Sequence, residues 1–350
     1  MYKNGKAPYQ LKMASTHAAK LEQWLGKECL ENLCKAMKGY YWHIPVGNVP
    51  GNVLAYNGDF YGEIRGGSGF SSLSDLINES TGGKQRKAYF AKVGSTGVIG
   101  VTNSLWKTGN SPPSGTNASN APLGNIVSGT STGAIPLDFV APDTRHLVGA
   151  GAMASVAGNN LLLYDRLWQV NKIMTGTFVE SITGAPSRYQ STTGTAQDYA
   201  GGNFLFFEVG GVALPATAHN WVSGTYVNQA GTAGQRLPTL TGNASAIVNR
   251  LDHPTNQWYA PLFGTDVGIK ELDTIALSAA VASGEINIVI GHPLAWMPCP
   301  IANLWIPFDL VGTTFNLARI FDDAALAFLE VGKPATGATS YNMELTMVSG

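Results

Sequence analysis

Gly149-Ala150-Gly151-Ala152-Met153-Ala154 reads G-x-G-x-x-A after a short apolar run. A dinucleotide site on that pattern needs a helix of several turns, with its N-terminus at the pyrophosphate, and an acid about twenty residues on. Here only Ala152 to Ala157 can be helical before Gly158-Asn159-Asn160 breaks the run, and Asp165 comes too soon. The stretch therefore reads as a hairpin of small side chains. Gly129-Thr130-Ser131-Thr132-Gly133 matches G-x-S-x-G, but a nucleophile elbow needs a strand before the serine and a helix after it. This one lies in an uncharged loop with Pro136 following. No G-x-x-x-x-G-K-[ST] phosphate loop occurs.

The six histidines, His17, His43, His146, His219, His253 and His292, show no pairing at metal-ligand spacing. Asp252-His253 and Asp322-Asp323 are compact polar clusters. The second precedes an apolar run, and an N-cap or turn accounts for it without calcium, which takes six to eight oxygens. With 23 acids in the chain, no carboxylate pair for glycoside hydrolysis stands out. Trp106, Trp168, Trp221, Trp258, Trp296 and Trp305 suit a large β core or an interface better than a sugar site. No catalytic residue, cofactor site or metal site is expected.

Cys29, Cys34 and Cys299 form no C-x-x-C pair, and the first two lie on different sides of one predicted helix. Three reduced thiols made in a cytoplasm are expected. The N-terminus has no apolar signal region. The nearly uncharged stretch 286–312 carries Pro293, Pro298, Pro300 and Pro307, which would leave backbone groups unsatisfied in lipid. It reads as a strand, a buried loop and a second extended segment, and no membrane partner is expected.

The elements that position these residues change character along the chain. A helix is expected over 15–38, capped by Ser15 or Thr16, with Leu21, Trp24, Leu25, Leu30, Leu33 and Met37 on one stripe and Gly39 ending it. Tyr40-Tyr41-Trp42 follows, and Gly66, Gly67 and Gly69 suggest a linker. A short helix is expected over 71–79, capped by Ser71 or Ser72, with Leu73, Leu76 and Ile77 inward. Beyond residue 85, strand-like runs alternate with Gly, Pro, Asn and Thr. They fall at 87–93, 97–102, 145–149, 160–168, 175–181, 203–209, 221–227, 245–251, 258–262, 271–279, 285–292 and 326–331. The absence of intervening amphipathic helices disfavours a parallel α/β sheet. The expected fold is mainly β, an antiparallel β-sandwich or jelly-roll body with a short helical N-terminal region. Residues 1–70 form an anchoring region and 71–350 the body, divisible near residue 200. The loop from Lys107 to Ala134 has almost nothing to bury and reads as an arm on a neighbour or a surface excursion.

Charge is sparse. Lys and Arg total 22 against 23 Asp and Glu, and 13% of residues are charged, against about 25% in a typical soluble domain. There is no basic excess for nucleic acid, and too little charge for disorder. Low charge fits either a protein with large buried contacts or a large, Gly-rich β protein with a Ser/Thr/Asn surface.

Three stretches carry a resemblance: Leu161-Leu162-Leu163-Tyr164-Asp165-Arg166-Leu167-Trp168 through Asn171; Tyr226-Val227-Asn228-Gln229-Ala230-Gly231 after Trp221; and Asp266-Val267-Gly268-Ile269-Lys270 leading into 275–278. With Pro186-x-Arg188-Tyr189 between them, they resemble virion structural proteins of tailed bacteriophages over about residues 71–349. In physical terms Asn228 to Gly231 reads as a hairpin turn, Asp266-x-Gly268 as another turn, and Asp165-Arg166 as an ion pair. The usual shell-protein fold of such phages has a long spine helix. The 15–38 helix lies too near the N-terminus to be one. The resemblance thus implies a non-enzymatic cement or decoration protein in the virion, made in the host cytoplasm. Its partners would be itself, as a homo-oligomer with a trimer favoured, and the major capsid protein. Trp24, Tyr40, Tyr41 and Trp42 are the expected interface anchors. A major coat protein built from jelly rolls and a tail or fibre component binding host glycans are the alternatives.

Overall fold

The structure is a computed structural model and describes Phe70 and residues 72–118, 123–137, 145–175, 179–190, 202–313 and 317–350. The helix expected over 15–38, the aromatic cluster after it and the glycine linker lie outside those residues.

Ser72 starts the described chain as an N-cap, its hydroxyl accepting from the Asp75 amide at 3.0 Å. Helix α1, Leu73–Glu79, buries Leu76 against Phe70, Leu317 and Val348. Ile77, expected inward, is instead on the exposed side. The strands follow in order: β1 Gln85–Val93, β2 Asn103–Ser104, β3 Asn110–Ser111, β4 Asn125–Ile126, β5 Arg145–Ala154, β6 Asn159–Ile173, β7 Val179–Gly184, β8 Phe204–Val209, β9 Asn220–Asn228, β10 Gln235–Arg236, β11 Leu240–Thr241, β12 Ile269–Leu277, β13 Glu285–Cys299, β14 Ile306–Asp309, the one-turn helix α2 Leu310–Thr313, β15 Arg319–Ile320, β16 Leu326–Val331 and β17 Ser340–Ser349.

All pairings are antiparallel and form three sheets. The first runs β14-β5-β17-β1-β3, the second β10-β9-β12-β7, and the central one β2-β16-β6-β13-β8. The protein is thus mainly β, as expected. A division at residue 200 would cut both the first and the central sheet, each of which interleaves strands from before and after it.

The central sheet is long because β6 and β13 each run fifteen residues. One end of it packs on the first sheet: Leu161, Leu163, Met297, Cys299 and Phe328 meet Ala150, Ala152, Met343 and Leu345. The other end packs on the second sheet: Trp168, Val170, Phe207, Ile286 and Ile288 meet Trp221, Tyr226, Leu272 and Ile275. A bulge joins the two ends. Ile290 pairs with Trp168 and Gly291 with Arg166, so Leu167 is the extra residue and the inward phase resets there. The opposite face holds Leu162, Tyr164, Phe206 and Val289, covered by Trp106, Val127, Ala134 and Leu251 from loops.

Several expectations are corrected. Stretch 286–312 is a strand, a loop and a second extended segment as expected, but the first strand runs on through two prolines to Cys299 and the loop over 300–305 is mostly exposed rather than buried. Pro293 and Pro298 are accommodated because β13 beyond Gly291 pairs only with β6 and leaves its other edge open. Gly149–Ala154 is not part of a hairpin. It lies in β5, and β5 and β6 belong to different sheets. Its even positions Ala150, Ala152 and Ala154 face the core, while Trp305 lies across Gly151. Runs 97–102 and 258–262 form no strand, and 245–251 contributes only isolated bridges at Arg250 and Leu251. Strand β17 is not among those expected above, although Tyr341, Met343, Leu345 and Met347 alternate inward.

The 107–134 loop does bury something. Its described parts lie across the central sheet and cover Trp106 and Trp168. The Trp168 indole donates to Leu123 O at 3.1 Å, and Lys107 Nζ donates to Gly115 O at 2.9 Å and to Asn117 Oδ1 at 2.7 Å. Gly115 sits so close to the Trp106 ring that a Cβ has no room. Gly115→Val should therefore lower stability by about 1–3 kcal/mol in urea denaturation. Gly109→Ala, at a position with open space around it, should change it by less than about 0.5 kcal/mol. Equal effects would contradict this packing.

Candidate interaction surface

A residue on a strand buried on both faces cannot reach water whichever way it points. Asp165 and Arg166, adjacent on β6, point to opposite faces, so they do not pair with each other as the sequence suggested. Each takes a separate partner. Arg188 donates to both Asp165 oxygens at 2.8 Å, to Asp323 Oδ2 at 2.9 Å and to Val127 O at 2.9 Å. It thereby ties β6 to two loops and to the segment after β7. Arg166 forms a fork on Glu208 at 3.0 Å to each oxygen, and its Nε donates to Gln169. Asn287 donates to the same glutamate at 2.9 Å. Burial pushes the Asp165 carboxyl up and this prevails over Arg188, whereas at Glu208 the guanidinium and its hydrogen bonds outweigh burial and the net shift is down.

Asp252, fully buried, accepts from His219 Nε2 at 2.9 Å and from the Trp221 indole at 2.7 Å. His219 Nδ1 lies 3.1 Å from Thr217 O. Both imidazole partners are acceptors, an arrangement that favours the doubly protonated ring. Burial opposes this, but Asp252 and the Thr217 carbonyl prevail and raise its pKa. His253 is the reverse case: its Nε2 accepts from the Phe207 amide at 3.0 Å.

The motifs at Asn228 and Asp266 lock together. Asn228 Oδ1 accepts from the Ala230 and Thr232 amides, shaping the turn as expected, and Gly231 takes φ 83°. Asp266 accepts from Asn228 Nδ2 at 2.9 Å and from the Tyr226 hydroxyl at 2.6 Å. Burial, with that bond to Asp266, pushes Tyr226 up to about 12. Gln229 Oε1 accepts from the Val267 and Gly268 amides, and the Phe263 amide donates to the Tyr226 hydroxyl. Loop 263–268 is therefore braced from beneath, yet Phe263 and Val267 on it are 58% and 57% exposed.

Other large apolar side chains are displayed in the same manner. Trp258 packs edge-on against buried Phe204 and carries Tyr259 and Trp296 beside it, with ring centroids 4.7 and 5.6 Å away. Trp296 is 46% exposed. Ile301, Leu304 and Trp305 are exposed just beyond β13, and Val98 and Ile99 on a loop whose Gly100 carbonyl accepts from the Asn256 amide at 2.7 Å. The tryptophans thus divide: Trp106, Trp168 and Trp221 are core, and Trp296 and Trp305 are surface. Composition named their type but not this division, which depends on strand phase. Trp24, Tyr40, Tyr41 and Trp42 lie outside the described residues. Among the described residues no three His, Cys, Asp or Glu side chains gather to hold a metal, and no helix is long and apolar enough to cross a membrane.

No protein-family model and no curated protein matches the chain. Among solved structures, those of infectious bursal disease virus, strains Gx and Gt, align at 11% and 10% identity. Each alignment covers 76% of this chain, and 81% and 80% of the respective viral chain, with a TM-score of 0.15. A superposition that poor carries no argument about fold or function.

The buried pairs make two predictions. Glu208→Gln should cost about 3–5 kcal/mol, because Arg166 is left buried without its counter-charge. Adding Arg166→Met should recover much of the loss; a double variant no better than the single one would contradict the pairing. The second concerns pH. Burial pushes His146 and His253 down to about 4 and His292 to about 3. Unfolded, each takes a proton near about pH 6.5, so the unfolded chain binds more protons below that and stability falls with acid. His219, with a raised folded pKa, stabilises below about pH 6.5 and loses this as pH rises through that raised value. Three groups outnumber one, so denaturation should show a stability lower by a few kcal/mol at pH 5 than at pH 7. A flat or inverted dependence would contradict the neutral burial of these histidines.

Proposed function

We propose that this chain is a non-enzymatic structural protein of a tailed-phage virion, a cement or decoration protein that stabilises the shell through contacts with its own copies and with the major capsid protein. One observation carries the reading: large apolar side chains at 258–267 and 296–305 stand exposed, Phe263 and Val267 among them on a braced loop, while the acid–base clusters face inward onto one another. Exposed apolar groups held in fixed positions are suited to burial against a partner. The sparse charge of the whole chain and the resemblance of its motifs to phage virion proteins support the same reading. Many weak contacts repeated over a shell add avidity. Residues 1–70 would be the anchoring region and 71–350 the body, with Trp24, Tyr40, Tyr41 and Trp42 as further anchors.

A second reading, a tail or fibre component binding host glycans, draws on the exposed Trp296 ring beside Trp258, a surface on which a sugar can stack. The two are separated by light scattering on the purified chain, then binding to empty phage shells. The cement reading predicts a stable oligomer that saturates shells, and loss of shell binding when residues 1–45 are removed. Phe263→Ser with Trp296→Ser should weaken association by about tenfold or more while leaving the circular dichroism spectrum unchanged. A monomer that ignores shells and is retained on a glycan array would overturn it, and a chain that closes shells alone would make it a coat protein.

A further inference from the structure

Lys333 and Glu330 are both fully buried and play no part in the proposed surface. Glu330 on β16 stands directly opposite Asn103 on β2, so their side chains share a face. Glu330 Oε2 accepts from Asn103 Nδ2 at 2.8 Å, and Oε1 accepts from Lys333 Nζ at 3.2 Å and from the Tyr341 hydroxyl at 2.6 Å. One carboxylate thus holds an amine on one oxygen and a primary amide on the other. Asn103 is also fully buried, and its Oδ1 has no hydrogen-bond partner among the described residues. Arg250 bridges Asn103 from the other side in antiparallel fashion, and its buried Nε also has no partner among them. Gly94 lies against Glu330 and Gly97 against Arg250 and Lys333, closing the cluster from water.

We propose that this cluster is a self-modification site, at which Lys333 and Asn103 join in an intramolecular amide cross-link with Glu330 as the proton carrier. The reaction begins with transfer of a proton from Lys333 Nζ to Glu330 Oε1 along the hydrogen bond between them. The neutral amine then attacks Asn103 Cγ and forms the new C–N bond. Negative charge develops on Oδ1, on the face where Arg250 has an unused donor. The carboxyl gives the proton it took from Nζ to Nδ2, the oxyanion re-forms the carbonyl as the Cγ–Nδ2 bond breaks, and ammonia leaves. The carboxylate takes one of the two protons on the attacking nitrogen, which keeps the other as the amide N–H, so Glu330 ends protonated. No oxidant, reductant or second substrate is consumed. The product ties the short edge strand β2 to the turn after β16. Acting between adjacent segments of one chain, the reaction draws on the proximity that folding supplies.

Intact-mass spectrometry of the full folded chain tests this directly. The expected mass is that of the sequence less one ammonia. A tryptic digest should yield the 93–107 peptide joined through Lys333 to the 320–350 peptide. Glu330→Gln and, separately, Lys333→Met should each restore the mass calculated for the variant's sequence and release the peptides separately. The native chain is decisive even where a variant fails to fold. A native mass equal to the sequence, or an ammonia lost while the two peptides run separately, would overturn the proposal.

Discussion

The central sheet is covered on both faces, and that constraint governs most of the polar chemistry of the protein. Strands β6 and β13 pass between two sandwiches, so along most of their length neither face offers water to a side chain, the exceptions lying near their ends, as at Ile173 and Trp296. A buried charge without a partner costs far more than folding can absorb. The buried charges and amides at the middle of those strands are therefore matched: Arg166 with Glu208, Asp165 with Arg188 of the segment after β7, and Asn287 with Glu208 and Asn171. These pairs are better understood as specifying register than as adding stability, since a one-residue slip would exchange the faces of Asp165 and Arg166 and strand both.

The same economy shapes the surface. Few residues are charged, and a good part of those in the body are used inside. What remains outside is polar and neutral, interrupted by braced aromatic and aliphatic side chains. Phe263 and Val267 show this best, because the side chains beneath them, Tyr226, Asn228, Gln229 and Asp266, are fixed by mutual hydrogen bonds. Such a surface loses little conformational entropy when it is covered.

The β class was legible from punctuated apolar runs, β16 was read with the right bounds, and Ser72 was one of the two caps offered for the first helix. The turn at Asn228 was legible because an Asn side chain and a glycine solve a local problem. What sequence could not show was non-local. Whether Asp165 meets Arg166 or Arg188 depends on which faces are buried, and adjacency in sequence points the wrong way. The continuity of β13 through Pro293 and Pro298 depends on an open edge that only the strand order reveals. The burial under the 107–134 loop comes from tryptophans elsewhere in the chain, with glycines letting the backbone approach. The aromatic residues of the surface could be named from the sequence but not told apart from those of the core.

The most direct test of the central claim is hydroxyl-radical footprinting of Phe263, Trp296 and Trp305 in the isolated chain and in the assembled particle. Strong protection of these three on assembly, with Trp221 unreactive in both states, is the outcome predicted. Equal reactivity in the two states would mean that these side chains are not contact surfaces, and the structural role assigned to them would fall.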